Sequence, residues 1–317
     1  MRLGVDIMGG DYAPLEIVKG AIEAYSELPS NVRLVLFGDQ EQIHKVCLEN
    51  NFDPSNFDIV ATTEVIEMLD HPAKAFQSKT NSSIVVGFVH LSKGLIDSFA
   101  SVGNTGAMLA GAMMVIKPIE GISRPCISTH LPKLDGANGL LLDVGINADV
   151  KPENLLQYAI LGSTYSKEVF GIDNPRVALL NIGSEAGKGN LLARETYELL
   201  SKSSQINFIG NVEGSDLFRP NLADVIVTDG FTGNIVLKHT ESFYRVALKR
   251  GINDEFINRF NFELYGGTAV LGVAKNIIIG HGVSKAIAVK NMIHHSYKVA
   301  KANLSLKIAK KIAGELQ

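Results

Sequence analysis

Apolar residues in this chain gather into short unbroken runs, separated by polar turns and by stretches with helical spacing. Runs at 3–7, 33–37, 59–62, 140–144, 176–182, 206–209 and 225–228 have strand length. A run that is apolar at every position, without alternation, predicts a strand covered on both faces, as in a parallel sheet. Between these runs Leu15, Val18, Ile22 and Tyr25 recur on one helical face behind Pro14, and 154–165, 190–200 and 233–250 predict further helices. Strands alternating with helices predict an open α/β sheet, which takes its ligands at the carboxyl ends of its strands. The chain 1–317 reads as one α/β unit, and a division into two lobes stays open because composition does not shift decisively at the turns 147–152 or 171–175.

The last of these runs and a further short stretch at 99–102 end in related turns. Residues 224–234 read Asp-Val-Ile-Val-Thr-Asp-Gly-Phe-Thr-Gly-Asn, and 99–107 read Phe-Ala-Ser-Val-Gly-Asn-Thr-Gly-Ala. Each predicts a strand that delivers a glycine-bearing turn to a helix start, where unpaired N–H groups and the helix dipole hold an anion. Gly230, Thr232 and Gly233, and likewise Asn104, Thr105 and Gly106, are therefore candidate ligand contacts. The turn after the opening run, with Asp6, Gly9, Gly10 and Asp11, either approaches a ligand closely or is a structural turn, and it lacks the G-x-G-x-x-G dinucleotide pattern.

Other polar groups fit the same chemistry. Lys79, Ser82 and Ser83 place a cation and hydroxyls at a helix start, as phosphate ligands or as simple caps. Arg124, ahead of Pro125, is a bidentate anion ligand or a solvated strand end. In the loop 181–190 glycines flank Lys188, which follows the logic of a phosphate loop while failing the G-x-x-x-x-G-K-[ST] pattern. His281 lies between Gly280 and Gly282 and is a candidate proton or hydrogen-bond donor. His294 and His295 have no third ligand nearby, and Cys47 and Cys126 have no metal-binding spacing, so no metal site is predicted.

Charge and composition narrow the classes. With 30 basic and 33 acidic residues the net charge is -3, which excludes a nucleic-acid surface as the expectation. The first residues enter a strand-like run instead of a signal peptide, and the apolar run after Gly106 is broken by Lys117 and Pro118 before it reaches membrane-spanning length. A cytoplasmic setting is expected, with any membrane met from one side. Residues 297–317 predict a basic amphipathic helix: Val299, Ala302, Leu306, Ala309, Ala313 and Leu316 form a stripe among Lys298, Lys301, Lys307, Lys310 and Lys311. That helix either packs on the body or presents a membrane or partner surface. The loops contain donors, hydroxyls and cations without G-x-S-x-G or a Cys/His nucleophile pair, which suits an enzyme that positions an anionic substrate and lets the substrate supply the nucleophile.

The motifs DIMGGD at 6–11, SVGNTGA at 101–107, LLDVGINAD at 141–149, PRVALLNIGSEAGKG at 175–189, FIGNVEG at 208–214, DVIVTDGFTGNIVLK at 224–238, YGGTAVLGV at 265–273 and HGVSKA at 281–286 run in one order along the chain. In them the chain resembles the phosphate acyltransferases of bacterial phospholipid synthesis. The resemblance implies a layered, Rossmann-like open sheet similar to the isocitrate and isopropylmalate dehydrogenases and to phosphotransacetylase. It implies transfer of a long-chain acyl group from acyl carrier protein to inorganic phosphate, by a homodimer with peripheral membrane contact and no cofactor. On that footing Lys188 and Asn234 are expected at the phosphate or the oxyanion, with the N–H groups of 230–233 and 104–106 completing a cradle and Asp229 orienting a donor or holding a cation. Acyl carrier protein is acidic, so the lysines of 297–317 also suit docking. The chain departs from the family in its short 250–264 segment, where relatives carry two long helices, and in Ile146 and Thr228, where alanine and cysteine are common. A phosphotransacetylase acting on acyl-CoA and a noncatalytic acyl or phosphate binder are the competing readings.

Overall fold

The computed structural model describes residues 1–315. In chain order its strands are β1 (Arg2–Asp6), β2 (Arg33–Gly38), β3 (Asp58–Ala61), β4 (Ser98–Ser101), β5 (Cys126–Pro132), β6 (Asn138–Leu142), β7 (Arg176–Leu180), β8 (Asn207–Val212), β9 (Val225–Val227), β10 (Thr268–Leu271) and β11 (Asn276–Ile279). Its α-helices are α1 (Leu15–Glu27), α2 (Gln40–Glu49), α3 (Pro72–Ser78), α4 (Ser83–Ser92), α5 (Thr105–Gly111), α6 (Pro152–Phe170), α7 (Leu191–Ser201), α8 (Gly230–Lys249), α9 (Glu255–Asn258), α10 (Ala286–Lys301) and α11 (Leu304–Ile312). The chain divides into two compact units, and neither 147–152 nor 171–175 separates them. The first unit holds 1–118, 262–269 and 273–301; the second holds 119–261, 270–272 and the C-terminal part from Ala302.

In the first unit the strand order is β3-β2-β1-β4-β11, all parallel, with Thr268 and Ala269 of β10 antiparallel to β11. The unbroken apolarity of β1 and β2 has the expected cause. Leu3, Val5, Leu34 and Leu36 are buried, and Phe37 and Phe88 each meet Phe99 edge to face. Parallel pairing sends every carboxyl end to one edge of this sheet, so β1 and β4 deliver the turns after Asp6 and Ser101 side by side.

In the second unit Val270 and Leu271 of β10 pair with β5, followed by β6, β9, β7 and β8. Here the sheet is mixed, because it contains β5, a strand that the apolar runs do not predict. β5 is antiparallel to both β10 and β6. The cause is local: Asp135-Gly136 closes a tight turn between β5 and β6, with the Lys133 amide donating to the Ala137 carbonyl at 2.9 Å. β6, β9, β7 and β8 are parallel, and α6 packs on β6, β9 and β7 with Tyr158 and Tyr165 fully buried. The short 250–264 segment is tied down where it lies in this unit. Arg259 donates to the Lys133 and Ala137 carbonyls, each at 2.7 Å, and the Phe256, Phe260 and Phe218 rings meet edge to face.

The single amphipathic helix expected over 297–317 is not formed. Asn303 adopts a left-handed conformation (φ 50°) between α10 and α11, and Val299 is buried within α10. α11 packs on α6 through Leu304 and Ile308, so its buried face differs from the predicted stripe, and Leu306 is exposed. Leu316 lies outside the described residues.

Candidate functional site

In the second unit β6 ends at Leu142, and Asp143 follows it fully buried. A carboxylate removed from water is costly unless its oxygens are satisfied. Here Oδ1 accepts from the amides of Ile127 (3.3 Å), Gly145 (3.2 Å) and Ile146 (3.3 Å), and Oδ2 from the amide (2.7 Å) and side-chain Nδ2 (2.9 Å) of Asn147. The loop 143–147 therefore wraps around its own first side chain. Asn147 passes the order on: its carbonyl accepts from the Gly230 amide at 2.8 Å, the first residue of α8.

The start of α8 sits against this loop so closely that it needs glycine. A Cβ on Gly233 would lie 1.9 Å from the Asp143 carbonyl oxygen, a backbone atom that cannot swing aside. Asp229 is the N-cap, accepting from the Thr232 amide and hydroxyl, both at 2.8 Å. That use explains how a carboxylate sits beside an expected anion site: its oxygens are turned to the helix. It also corrects the predicted cradle. Gly230, Thr232 and Gly233 all donate internally, and Phe231 has the amide left at this helix start among the described residues. Asn234 is partly committed too, with Nδ2 donating to the Val144 carbonyl at 3.1 Å.

Lys188 is not bonded to that cluster. Its side chain is 53% exposed and has Glu185 at 3.9 Å, a surface pair worth at most about 1 kcal/mol. The loop carrying it is well held. Asn211 Nδ2 donates to the Glu185 carbonyl at 2.9 Å and Asn181 Nδ2 to the Lys188 carbonyl at 3.2 Å, and Asn190 caps α7. Arg124 donates to the Asp149 carbonyl at 2.8 Å, and the carbonyl of the next residue, Pro125, accepts from Asn147 Nδ2 at 2.8 Å.

The first unit has a cluster of its own around Asp6, fully buried at the end of β1. Oδ2 accepts from the Ser101 hydroxyl at 2.6 Å and Oδ1 from the Met8 amide at 3.0 Å, with the Ser83 hydroxyl and Gly9 amide as further donors. Burial pushes its carboxyl above the ordinary value, and these hydrogen bonds offset part of the rise. Gly9 crosses Gly103 with no room between: a Cβ there would come 2.4 Å from Asp6 Oδ2 and 2.6 Å from Gly103 Cα. Gly10 takes a positive φ, and the Asp11 amide donates to the Gly282 carbonyl at 2.8 Å while the residue stays exposed.

The remaining candidates of this unit are mostly engaged. Ser82 caps α4. Asn104 caps α5 through the Ala107 amide at 3.0 Å, and its Nδ2 reaches the Glu67, Met68 and Asp70 carbonyls at 3.0, 3.3 and 3.1 Å. Lys79 is held by Asp70 at 2.6 Å and by the Val65 carbonyl at 2.7 Å, so its charge is spent on that loop. Gly106 packs on Pro72, Thr105 is exposed, and His281 lies tilted over Phe262 with ring centroids 4.6 Å apart.

Asp143, Asn147 and Ser101 were not among the predicted contacts, yet they organise both clusters. A signal existed for Asp143: like Asp6, it is a lone carboxylate that ends an apolar run and precedes a glycine turn. Among the described residues no group of three His, Cys, Asp or Glu side chains is placed to hold a metal. Both cysteines are buried. Burial pushes the Cys47 thiol up to about 11, and burial together with the Asp143 charge pushes Cys126 well above its ordinary value, which makes both poor thiolate nucleophiles.

Residues 1–257 match the family described as fatty acid synthesis protein. The chain is 44% identical to a phosphate acyltransferase of Dictyoglomus thermophilum, covering 97% of this chain and 96% of that one. It is 44% identical to a phosphate acyltransferase of Heliobacterium modesticaldum, covering 100% and 99%. Among solved structures, a phosphotransacetylase from Streptococcus pyogenes superposes with a TM-score of 0.65 at 18% identity, covering 94% of each chain, which establishes likeness of fold.

Proposed function

The chain belongs to the phosphate acyltransferase family, and from that membership we propose that it moves a long-chain acyl group from the thioester of acyl carrier protein to inorganic phosphate. Near full-length identity to relatives of that name carries the reading. In the reaction a phosphate oxygen attacks the thioester carbon, the tetrahedral oxyanion collapses, the C–S bond breaks, and acyl phosphate and the carrier thiol leave. Phosphate is its own nucleophile at neutral pH, which agrees with two cysteines buried as thiols. The protein has to position the two substrates and offset negative charge.

Lys188 is the proposed charge partner of phosphate or oxyanion, because it is the exposed cation on a tightly held glycine loop. Asn234 and the Phe231 amide are the proposed neutral donors at the start of α8. Asp229, Thr232 and Asp143 act as positioning residues. In the first unit Gly10, Asp11 and Thr105 are retained as proposed substrate contacts and His281 as a proposed proton or hydrogen-bond donor. Palmitoyl carrier protein with radiolabelled phosphate should yield labelled acyl phosphate. Equal or better use of palmitoyl-CoA would favour the phosphotransacetylase reading. Lys188→Ala should lower turnover by roughly 100-fold or more with an unchanged melting temperature, and near-normal turnover would remove Lys188 from its role.

A homodimer is part of this reading. Of the twenty residues of α8 only Gly230, Gly233 and Ala247 are buried, and Phe231, Ile235, Phe243 and Val246 stand exposed along it. An apolar helix face of this extent suits a second copy of the chain. Phe243→Glu should give monomers by light scattering, and an unchanged mass would move the dimer contact elsewhere. No helix among the described residues is long and apolar enough to cross a membrane. Peripheral membrane contact is proposed from the long alkyl chain of the product, and liposome co-sedimentation tests it. A pellet no larger than the lipid-free control would remove it.

A further inference from the structure

The outer end of α6, in the second unit, borders a cavity of about 450 Å³ that the reaction above does not use. The last turns of α6, the segments 173–175 and 204–207, and α11 form its walls. Three lysines line it: Lys167, Lys307 and Lys311. Lys307 is ion-paired with Glu168. Lys311 is partly buried, and its ammonium is pushed below the ordinary value first by burial and then by the positive charge of Lys167. Lys167, in the last turn of α6, is exposed at the rim of the cavity. An exposed and a partly buried lysine that line one cavity leave a place where an anion would relieve their repulsion.

The rest of the lining indicates what the anion is attached to. Ser163 and Asn207 offer hydroxyl and amide groups, and the Asp173 carboxylate can accept from hydroxyls but would repel a second acid. A wall of this composition does not suit an alkyl chain. The size is within the range of sites for small metabolites. We propose that this cavity binds a phosphate monoester of a sugar or polyol, with Lys167 and Lys311 on the phosphate and Ser163, Asn207 and Asp173 on the hydroxyls. The α6 C-terminus carries partial negative charge, so the two lysines must supply the attraction.

Calorimetric titration of the full chain with glucose 6-phosphate and ribose 5-phosphate, and with glucose as control, tests the site. At least one phosphate ester should bind with a Kd of about 1 mM or tighter, and glucose should not bind. The double variant Lys167→Gln/Lys311→Gln should bind roughly tenfold more weakly or not at all, and Lys188→Ala should bind like the parent. Lys167→Gln alone weakens binding without altering the half-buried position, which covers the case in which the double variant folds poorly. The proposal is overturned if neither ester binds the parent, if the lysine variants bind as well as the parent, or if Lys188→Ala is the variant that loses binding.

Discussion

Asp6 and Asp143 occupy equivalent places in two different units: each ends an apolar strand, each is fully buried, and each holds the glycine turn that follows it. Their partners differ in kind. Asp143 is met by five N–H groups, four of them backbone amides, all of which can only donate. Asp6 is met by the hydroxyls of Ser101 and Ser83 as well as by amides, and a hydroxyl can turn and accept. The first arrangement tolerates only an acceptor at its centre, whereas the second can adapt to a donor.

The largest expected effect probes the backbone that Asp143 organises. Gly233→Ala puts a methyl 1.9 Å from the Asp143 carbonyl, so the start of α8 must move, and turnover should fall by about 100-fold. A variant with parental kinetics would show that the register of α8 is irrelevant to the reaction. Next, Asp143→Asn turns an NH₂ group against fixed donors and should cost about 2–4 kcal/mol in urea unfolding. Asp6→Asn can donate to the Ser101 hydroxyl and should change stability by less than about 1 kcal/mol near neutral pH. Equal losses at the two positions would break the comparison.

The pH dependence sharpens it from the side of the first unit, where His295 and Asp6 are both buried. His295 is lowered from 6.5 to about 4, chiefly by burial, with a hydrogen bond involving the Gly267 backbone opposing the shift. The unfolded chain then binds the extra proton between those values, so stability should fall by about 3 kcal/mol as pH drops from 6.5 to 4. Asp6 has the opposite sign. Its folded value lies above 3.8, so the folded state holds the extra proton and stability falls as pH rises from 3.8 through the folded value. Urea titrations against pH should therefore show a shallower decline with rising pH above 3.8 in Asp6→Asn than in the parent, and identical slopes would remove Asp6 as its source.

Much of the architecture was legible because its causes are local. Seven apolar runs became strands, Leu15 to Tyr25 lie in α1, although its buried face is Ile17, Val18, Gly20, Ala21 and Ala24 and Leu15 is exposed, and the caps at Asn104, Asn190 and Asp229 lie within three residues of the amides they satisfy. β5, β10 and β11 were missed. Histidine, serine and threonine interrupt the apolar run of β5, and β10 and β11 have only four residues each. The candidate turns were also visible, but their availability was not. The same glycines and amides that predict an anion cradle equally well predict a cap, and only coordinates show that Asp229 and Asn147 already take three of the four.

The sequence by itself determined the family, the α/β alternation and the glycine turns at the strand ends, because each of these is written in neighbouring residues or in a long ordered set of motifs. Tertiary structure decided which groups remain open to a substrate. Asp143 draws its donors from its own loop and from Ile127 across the sheet, Asn147 takes the Gly230 amide, and Lys79 is neutralised by Asp70. A hydrogen-bonding group is spent or available according to what the fold brings within about 3 Å of it, and separation along the chain does not encode that distance.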